Sequence, residues 1–442
     1  MHAWALVLLL LAPDPGPAVR EALDASGVRT SGLGLLVGRA GGPELLAVDP
    51  DTPRIPASNQ KILTAAAAIT RLGREFRFET RVALGEGGDL VVVGEGDPNL
   101  SGRFFDGDPT KVLRAMARDI KARGVAKVRD LVLDASRFDA EYVHPDWPKD
   151  QLERWYCAPV AALVYNDSCW DVTVLPGSGP RAPSRFAVQP SLLSPAVLNR
   201  CETSGGSGNP VLHLGHAEGY DFELRGQIQL ASRGLTANVT VRDPVRFFGE
   251  AFRAALEAEG VRVEGALRAG RLPGAREIVV YRSDLGRTLN VMLTNSQNLY
   301  AECLFKRLGE GSFASGGAAL EAALVAMEVP TAGLVARDGS GLSRENLVSA
   351  RTLYGALQAL RDEPLLVEAL AAGGDGTLRR RYRDLGPRVR AKTGTIRGVS
   401  TLSGYVTGRE GDRYVFVILA NGASVARARR LQDLIVIALA DS

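Results

Sequence analysis

The sequence predicts an α/β (α+β) protein: one antiparallel sheet assembled from both ends of the chain, flanked by helices, with β-rich domains inserted between the ends. Three observations carry this expectation. Short apolar runs separated by turn residues occur near both termini, helical periodicity fills the stretches beside them, and the middle third is rich in β-branched runs. A chain of 442 residues is long enough for several cores.

At the N-terminal end, Leu33 to Val37 and Leu45 to Val48 flank Gly41-Gly42, which reads as a hairpin. Pro56 then precedes Ala57-Ser58-Asn59-Gln60-Lys61, followed by four alanines, Ile69 and Leu72, a buried helical pattern ending at Gly73. From about residue 76 to 283 the runs Leu90 to Val93, Val128 to Leu133, Val172 to Leu175 and Leu212 to Leu214 read as strands. Helical stretches at Thr110 to Arg123 and Asp243 to Glu259, and a glycine-rich loop at Ser204 to Gly208, break up this region. Helical spacing returns through Leu285, Leu289, Met292, Leu299 and Leu304, and again in Gly317 to Met327 and Ser349 to Arg361. Arg388 to Thr395, Ser400 to Thr407 and Arg413 to Leu419 then read as three antiparallel strands, and Val425 to Ala440 as a closing helix.

The expected organisation is therefore a signal peptide over 1–18, a discontinuous domain over 19–75 and 284–442, and an insertion over 76–283. The insertion divides into two small β-rich parts, 76–165 with 262–283, and 166–261. The apolar run of about ten residues within Met1 to Ala12 is too short to span a bilayer, and no later stretch reaches 18 apolar residues, so export without an integral span in the mature chain is expected. Cys157, Cys169, Cys201 and Cys303 lack zinc-site spacing. They read either as small buried hydrophobes or, in an exported chain, as the source of one bridge among the first three, whose pairing the sequence leaves open.

The charges exclude nucleic acid as the default partner, because 53 basic and 50 acidic side chains are interleaved and leave a net charge of only +3. Only seven of those basic residues are lysine. A desolvated lysine can give up its proton and act as a base, which an arginine does not do, so each lysine merits inspection.

Two of them stand in chemically suggestive settings. Ser58-Asn59-Gln60-Lys61 places a hydroxyl and an amine three positions apart on one helix face, where the amine can take the serine proton and activate the oxygen. Lys392-Thr393-Gly394 lies on an expected strand. An S-x-N element occurs twice, as Ser296-Gln297-Asn298 between helices and as Ser207-Gly208-Asn209 in the glycine-rich loop. The first is preferred, because flanking helices hold a hydroxyl and an amide more rigidly than a loop does. S-x-x-K, S-x-N and K-T-G in this order, on a helix start, an interhelical turn and a strand, arise by chance in about 1% of such chains. The four histidines suit neither a Ser-His-Asp site nor a metal centre: no G-x-S-x-G elbow is present, and His213 and His216 have no evident third ligand.

With these motifs the sequence resembles the penicillin-binding serine peptidases, specifically the D-alanyl-D-alanine carboxypeptidase/endopeptidase family S13, class C of the low-molecular-mass penicillin-binding proteins. Gly94-Glu95-Gly96-Asp97-Pro98, Leu133 to Phe138 with Trp147 beyond, Asp338-Gly339-Ser340-Gly341-Leu342-Ser343 and Gly376-Thr377-Leu378 extend the likeness over almost the whole mature chain. The resemblance implies a penicillin-binding transpeptidase/β-lactamase-like fold with extra domains between the first two motifs. It implies Ser58 as acylated nucleophile, Lys61 as general base, Ser296 as proton relay to the leaving D-alanine and Asn298 as the group orienting Lys61 and the substrate amide. Lys392 would meet the substrate's terminal carboxylate, with Thr393 donating a hydrogen bond. The N–H groups of Ser58 and Thr395 would form the oxyanion hole, and Gly394 would permit close approach. Asp134, Phe138, Arg344 and Ile396 would line the pocket for the stem-peptide side chain, with Arg397 following.

The resemblance further implies peptidoglycan stem peptides and cross-links as substrates, β-lactams as covalent inhibitors, a periplasmic or extracytoplasmic location, and no cofactor or metal. A β-lactamase or esterase on the same fold, and a wall-binding scaffold without turnover, are the competing readings.

Overall fold

The computed structural model describes residues 15–442; most of the expected signal peptide lies outside them. By packing, the chain divides into two units. The first holds the residues up to Thr70 with Asn290–Ser296 and Leu320–Ser442; the second holds Arg71–Leu289 and Gln297–Ala319.

The first unit is built on a six-stranded sheet in the order Ala371–Ala372, Val389–Ile396, Val399–Thr407, Arg413–Asn421, Leu33–Arg39, Glu44–Val48. Every neighbouring pair is antiparallel. The chain ends meet at its centre, where Leu35 pairs with Ile418. Both faces are covered, so the central strands read as continuous apolar runs rather than as an alternation. The terminal helices Gly16–Ser26 and Val425–Asp441 cover one face, through Val19, Leu23, Leu431, Ile435 and Leu439 against Phe416, Ile418 and Leu402. On the sheet's other side, helix Ala350–Ala359 caps the hydroxyl of Tyr405, which donates to Leu357 O at 2.7 Å. Helix Gln60–Leu72 is buried along nearly its whole length, as its alanine-rich sequence allows: small side chains let a helix approach its neighbours closely. Truncating Leu431 or Ile435 in this core to alanine removes roughly 2–5 kcal/mol.

The second unit holds a mixed five-stranded sheet in the order Leu267–Ala269, Leu131–Asp134, Leu90–Gly94, Arg77–Leu84, Arg276–Asp284. Two three-stranded sheets follow, one of strands 235–240, 169–175 and 185–189, the other of strands 211–217, 220–229 and 197–204. Helix Pro244–Ala258 packs on helix Thr110–Ala122 and on strand Leu131–Asp134, and its Phe247 also meets Trp170 of strand 169–175 at 4.9 Å between ring centroids. The expected run Val128 to Leu133 is two strands, Lys127–Val128 and Leu131–Asp134.

Of the two readings of the cysteines the structure bears out the first: Cys157, Cys169, Cys201 and Cys303 are all buried as small hydrophobes, with no disulfide among the described residues. Burial also pushes the Cys169 and Cys303 thiols far above their usual range, which keeps them uncharged. Among the described residues no helix is long and apolar enough to cross a membrane.

Candidate active site

Ser58 lies in a single 3-10 turn, Ala57–Asn59, that leads into helix Gln60–Leu72. Ala57 is held at φ 46°, a left-handed conformation that costs a residue with a Cβ on the order of 1–3 kcal/mol and persists only when neighbours fix it. Those neighbours are identifiable. Thr401 Oγ1 donates to Pro56 O at 3.0 Å, Asn59 Nδ2 donates to Lys392 O at 2.8 Å, and Ser403 Oγ donates to Asn59 Oδ1 at 2.6 Å. The nucleophile turn is thereby bolted to two adjacent strands, Val389–Ile396 and Val399–Thr407.

One turn into the helix, Lys61 Nζ stands 3.1 Å from Ser58 Oγ and donates to Ser340 O at 2.9 Å. Lys61 is fully buried, whereas Ser58 is partly exposed. The loop supplying Ser340 is folded by the buried Asp338, whose carboxylate accepts from Gly341 N at 2.7 Å, Ser343 N at 2.6 Å and Asn346 Nδ2 at 2.8 Å. Gly339 O accepts from Thr64 Oγ1 at 2.7 Å, so helix and loop are joined at two successive carbonyls. Gly341 has φ 82°, and a Cβ there would run into Ala57 O and reach Gln60 Cβ at 3.0 Å, so the position requires glycine.

Lys392 is fully buried on strand Val389–Ile396, and its Nζ donates to Thr393 O at 3.0 Å. Burial, and then the nearby charge of Lys61, hold its amine well below the usual lysine range. Gly394 shares the face of Lys392 and lies against the nucleophile turn; a Cβ there would run into Thr401 Oγ1 and sit 2.9 Å from Ser58 N. Thr393, Thr395 and Ile396 continue the strand. Its outer neighbour pairs only with Arg390 and Ala391, so among the described residues the outer edge from Lys392 to Ile396 carries no strand partner. Arg344 Nη1 donates to Arg397 O at 2.8 Å, which brings Arg344 to the end of this strand beside Ile396.

Ser296 belongs to the same unit, between helices Leu285–Thr294 and Asn298–Leu308, and is held at φ 63°. Just before it, Thr294 Oγ1 donates to Ala369 O at 2.8 Å. Gly376 has φ 46°, and a Cβ there would run into Thr294 O, so glycine alone lets this loop close on the end of the helix. Asn298, Asp134 and Phe138 belong to the second unit. Asn298 Nδ2 donates to Tyr156 O at 2.7 Å. Asp134 Oδ1 accepts from the N–H and hydroxyl of Ser136 at 3.0 and 2.6 Å, and Phe138 is buried against Gly96. The alternative copy, Ser207-Gly208-Asn209, lies in an exposed loop of the second unit.

A hydroxyl beside a buried amine, on a turn pressed against a strand edge with a second buried amine, is what an acylating serine site requires. The D-Ala-D-Ala carboxypeptidase 3 (S13) family model matches residues 18–441. The chain belongs to the S13 family. This S13 chain is 34% identical over 443 aligned residues to the D-alanyl-D-alanine carboxypeptidase of Actinomadura sp. (strain R39), covering 92% of this chain and 80% of that one. It is 27% identical to the D-alanyl-D-alanine carboxypeptidase DacB of Haemophilus influenzae, over 84% of this chain and 81% of that one. The crystal structure of penicillin binding protein 4 from the same organism superposes with a TM-score of 0.79 at 24% identity, covering 95% of this chain and 99% of that one, which establishes the shared fold.

Sequence reasoning passed over Asn59, Thr401, Ser403 and the carbonyl of Ser340. Asn59 sits inside S-x-x-K, and Ser340 inside the Asp338–Ser343 landmark, but neither residue type announces the contact it makes across several hundred residues.

Proposed function

We propose that this chain is a serine-type D-alanyl-D-alanine carboxypeptidase that also binds penicillin, acting on peptidoglycan stem peptides through an acyl-enzyme on Ser58. The single observation that carries the reading is the 3.1 Å separation of Ser58 Oγ and Lys61 Nζ on a turn fixed to the K-T-G strand. Membership of S13 supports it, and disfavours the β-lactamase and inert-scaffold alternatives.

In this mechanism Lys61 accepts the Ser58 proton as the oxygen attacks the carbonyl of the penultimate D-alanine. Its bond to Ser340 O helps hold the amine beside the Ser58 hydroxyl. Charge on the tetrahedral oxygen is met by the N–H groups of Ser58 and Thr395, since backbone donors fixed in direction stabilise developing charge without reorganising. Ser296 passes a proton to the leaving D-alanine nitrogen and Asn298 orients Lys61 and the substrate amide. Lys392 meets the substrate's terminal carboxylate with help from Thr393; an arriving anion favours the charged amine that burial disfavours. Gly394 leaves room for the substrate backbone along the unpaired strand edge. Water then releases the acylated peptide. A β-lactam follows the same first step but keeps its leaving group tethered. Asp134, Phe138, Arg344 and Ile396 are proposed to receive the stem-peptide side chain, and residues 76–283 to act as an inserted unit governing access to cross-links. The chain works outside the cytoplasm after removal of residues 1–18.

The test is release of D-alanine from a synthetic peptide ending in D-Ala-D-Ala. Turnover by wild type and none by Lys61→Met or Ser58→Ala is expected. Absence of turnover in folded wild type, or turnover that survives Ser58→Ala, would overturn the reading.

A further inference from the structure

The middle residue of Ser296-Gln297-Asn298 has no part in the mechanism above, yet it is the most deeply buried of the three. Gln297 is 2% exposed, and its Nε2 donates to Asp167 Oδ2 at 3.0 Å. Arg103 grips the same oxygen through Nε at 2.8 Å and Nη2 at 2.6 Å. One carboxylate oxygen thus gathers a guanidinium and the motif's carboxamide, while Asp167 Oδ1 and Gln297 Oε1 are buried without hydrogen-bond partners among the described residues.

The backbone beneath Asp167 is unusual. Asn166, Asp167 and Ser168 are consecutive non-glycine residues at φ 47°, 56° and 52°. Each such residue costs on the order of 1–3 kcal/mol, so the turn must be held by its surroundings. Asn166 Nδ2 provides part of that hold, donating to Cys169 O and Asp171 Oδ2, both at 3.1 Å. The result is a carboxylate delivered on a rigid, strained pedestal. Its two partners are a cation and the residue that links Ser296, itself at φ 63°, to Asn298. Asn298 is tethered in turn to Tyr156 O. A serine in a left-handed conformation keeps it only if the chain on either side is fixed, and Gln297 is the fixed side chain that follows.

We propose that Asp167, clamped by Arg103, is a positioning residue for catalysis that acts through Gln297 to hold the Ser296-Gln297-Asn298 turn in register. It touches neither substrate nor reacting atoms. It fixes the backbone on which the proton-relaying hydroxyl and the orienting carboxamide are mounted, where an error near 1 Å costs up to about 100-fold in rate. This inference rests on the roles given to Ser296 and Asn298 in the preceding subsection.

The test is kcat and KM for D-alanine release by Gln297→Ala, Asp167→Ala, the double variant and Asp167→Asn, alongside thermal unfolding of each. Gln297→Ala leaves the Arg103–Asp167 pair intact and is the variant most certain to fold. The expected result is a fall in kcat of about 10- to 100-fold in Gln297→Ala with KM within about twofold. Asp167→Asn, which still offers Gln297 an acceptor oxygen, should keep most of the activity. The Asp167→Ala/Gln297→Ala double variant should be no slower than the worse single, because both cuts sever one link. If Asp167→Ala does not fold, Gln297→Ala and Asp167→Asn decide the matter. A lowered melting temperature with unchanged kcat in Gln297→Ala, a change confined to KM, or losses that add in the double variant would each overturn the proposal. If wild type itself releases no D-alanine, the preceding reading falls first; if it does and Gln297→Ala matches it, only this inference falls.

Discussion

Replacing Asn59 by alanine should damage both stability and acylation. Asn59, Lys392 and Ser403 are all fully buried, and the carboxamide makes two bonds there, to Lys392 O at 2.8 Å and from Ser403 Oγ at 2.6 Å. Alanine removes both and leaves a hydroxyl and a carbonyl facing a small void. An orphaned buried polar group costs roughly 1–3 kcal/mol, so the two together amount to about 2–4 kcal/mol after partial relaxation. For a unit of this size each kcal/mol moves Tm by about 2–4 °C, so the transition should fall by roughly 5–15 °C. The rate of acylation by benzylpenicillin should fall by about 10- to 100-fold, because the Ser58 N–H is no longer locked against Gly394. Ser403→Ala removes one bond only and should cost about 1–2 kcal/mol. The double variant should show coupling between the two sites. A melting temperature within about 1 °C of wild type, together with an unchanged acylation rate, would refute the claim that this clamp holds the nucleophile turn.

Further expectations concern the same framework. Gly394→Ala should reduce acylation at least about 100-fold and destabilise the fold by about 1–3 kcal/mol, read by mass spectrometry and thermal unfolding, because the new methyl meets Ser58 N and Thr401 Oγ1. Asp338→Ala removes the acceptor for two backbone N–H groups and Asn346, and should destabilise by about 3–5 kcal/mol while slowing acylation, since Ser340 O then no longer holds Lys61. Lys392 gives a pH test. Burial, and secondarily Lys61, lower its pKa, so its charge is present below that lowered value and lost as pH rises through it. KM for a carboxylate-ended peptide should therefore rise on the alkaline side well before an ordinary lysine titrates near about 10.4, and Lys392→Arg should flatten that rise. A wild-type KM that stays constant to about pH 10 would contradict the assignment.

Much of the framework could be read from the sequence, because it rests on local pattern. The Leu33–Val48 hairpin, the alanine-rich helix after Ser58 and the three strands after Arg388 each carry their own period and turn residues. Helix Pro244–Ala258 was equally visible, but its packing on the five-stranded sheet depends on a long-range contact that periodicity does not encode. The site divides the same way. Ser58 and Lys61 are three residues apart and their proximity follows from helical geometry, whereas Asn59–Ser403 and Lys61–Ser340 span 344 and 279 residues. For the cysteines, spacing alone left burial and a bridge both open; all four lie buried, with no disulfide among the described residues. Ala57 and Ser296, the two strained positions flanking the chemistry, carry no sequence signal at all, since neither is glycine or asparagine.

The central claim, an acyl-enzyme on Ser58, is tested most directly by intact-protein mass after incubation with benzylpenicillin, followed over hours for wild type and Ser58→Ala. The account predicts a persistent adduct of one molecule on wild type and none on Ser58→Ala. No adduct on folded wild type, or an adduct that survives Ser58→Ala, would contradict it.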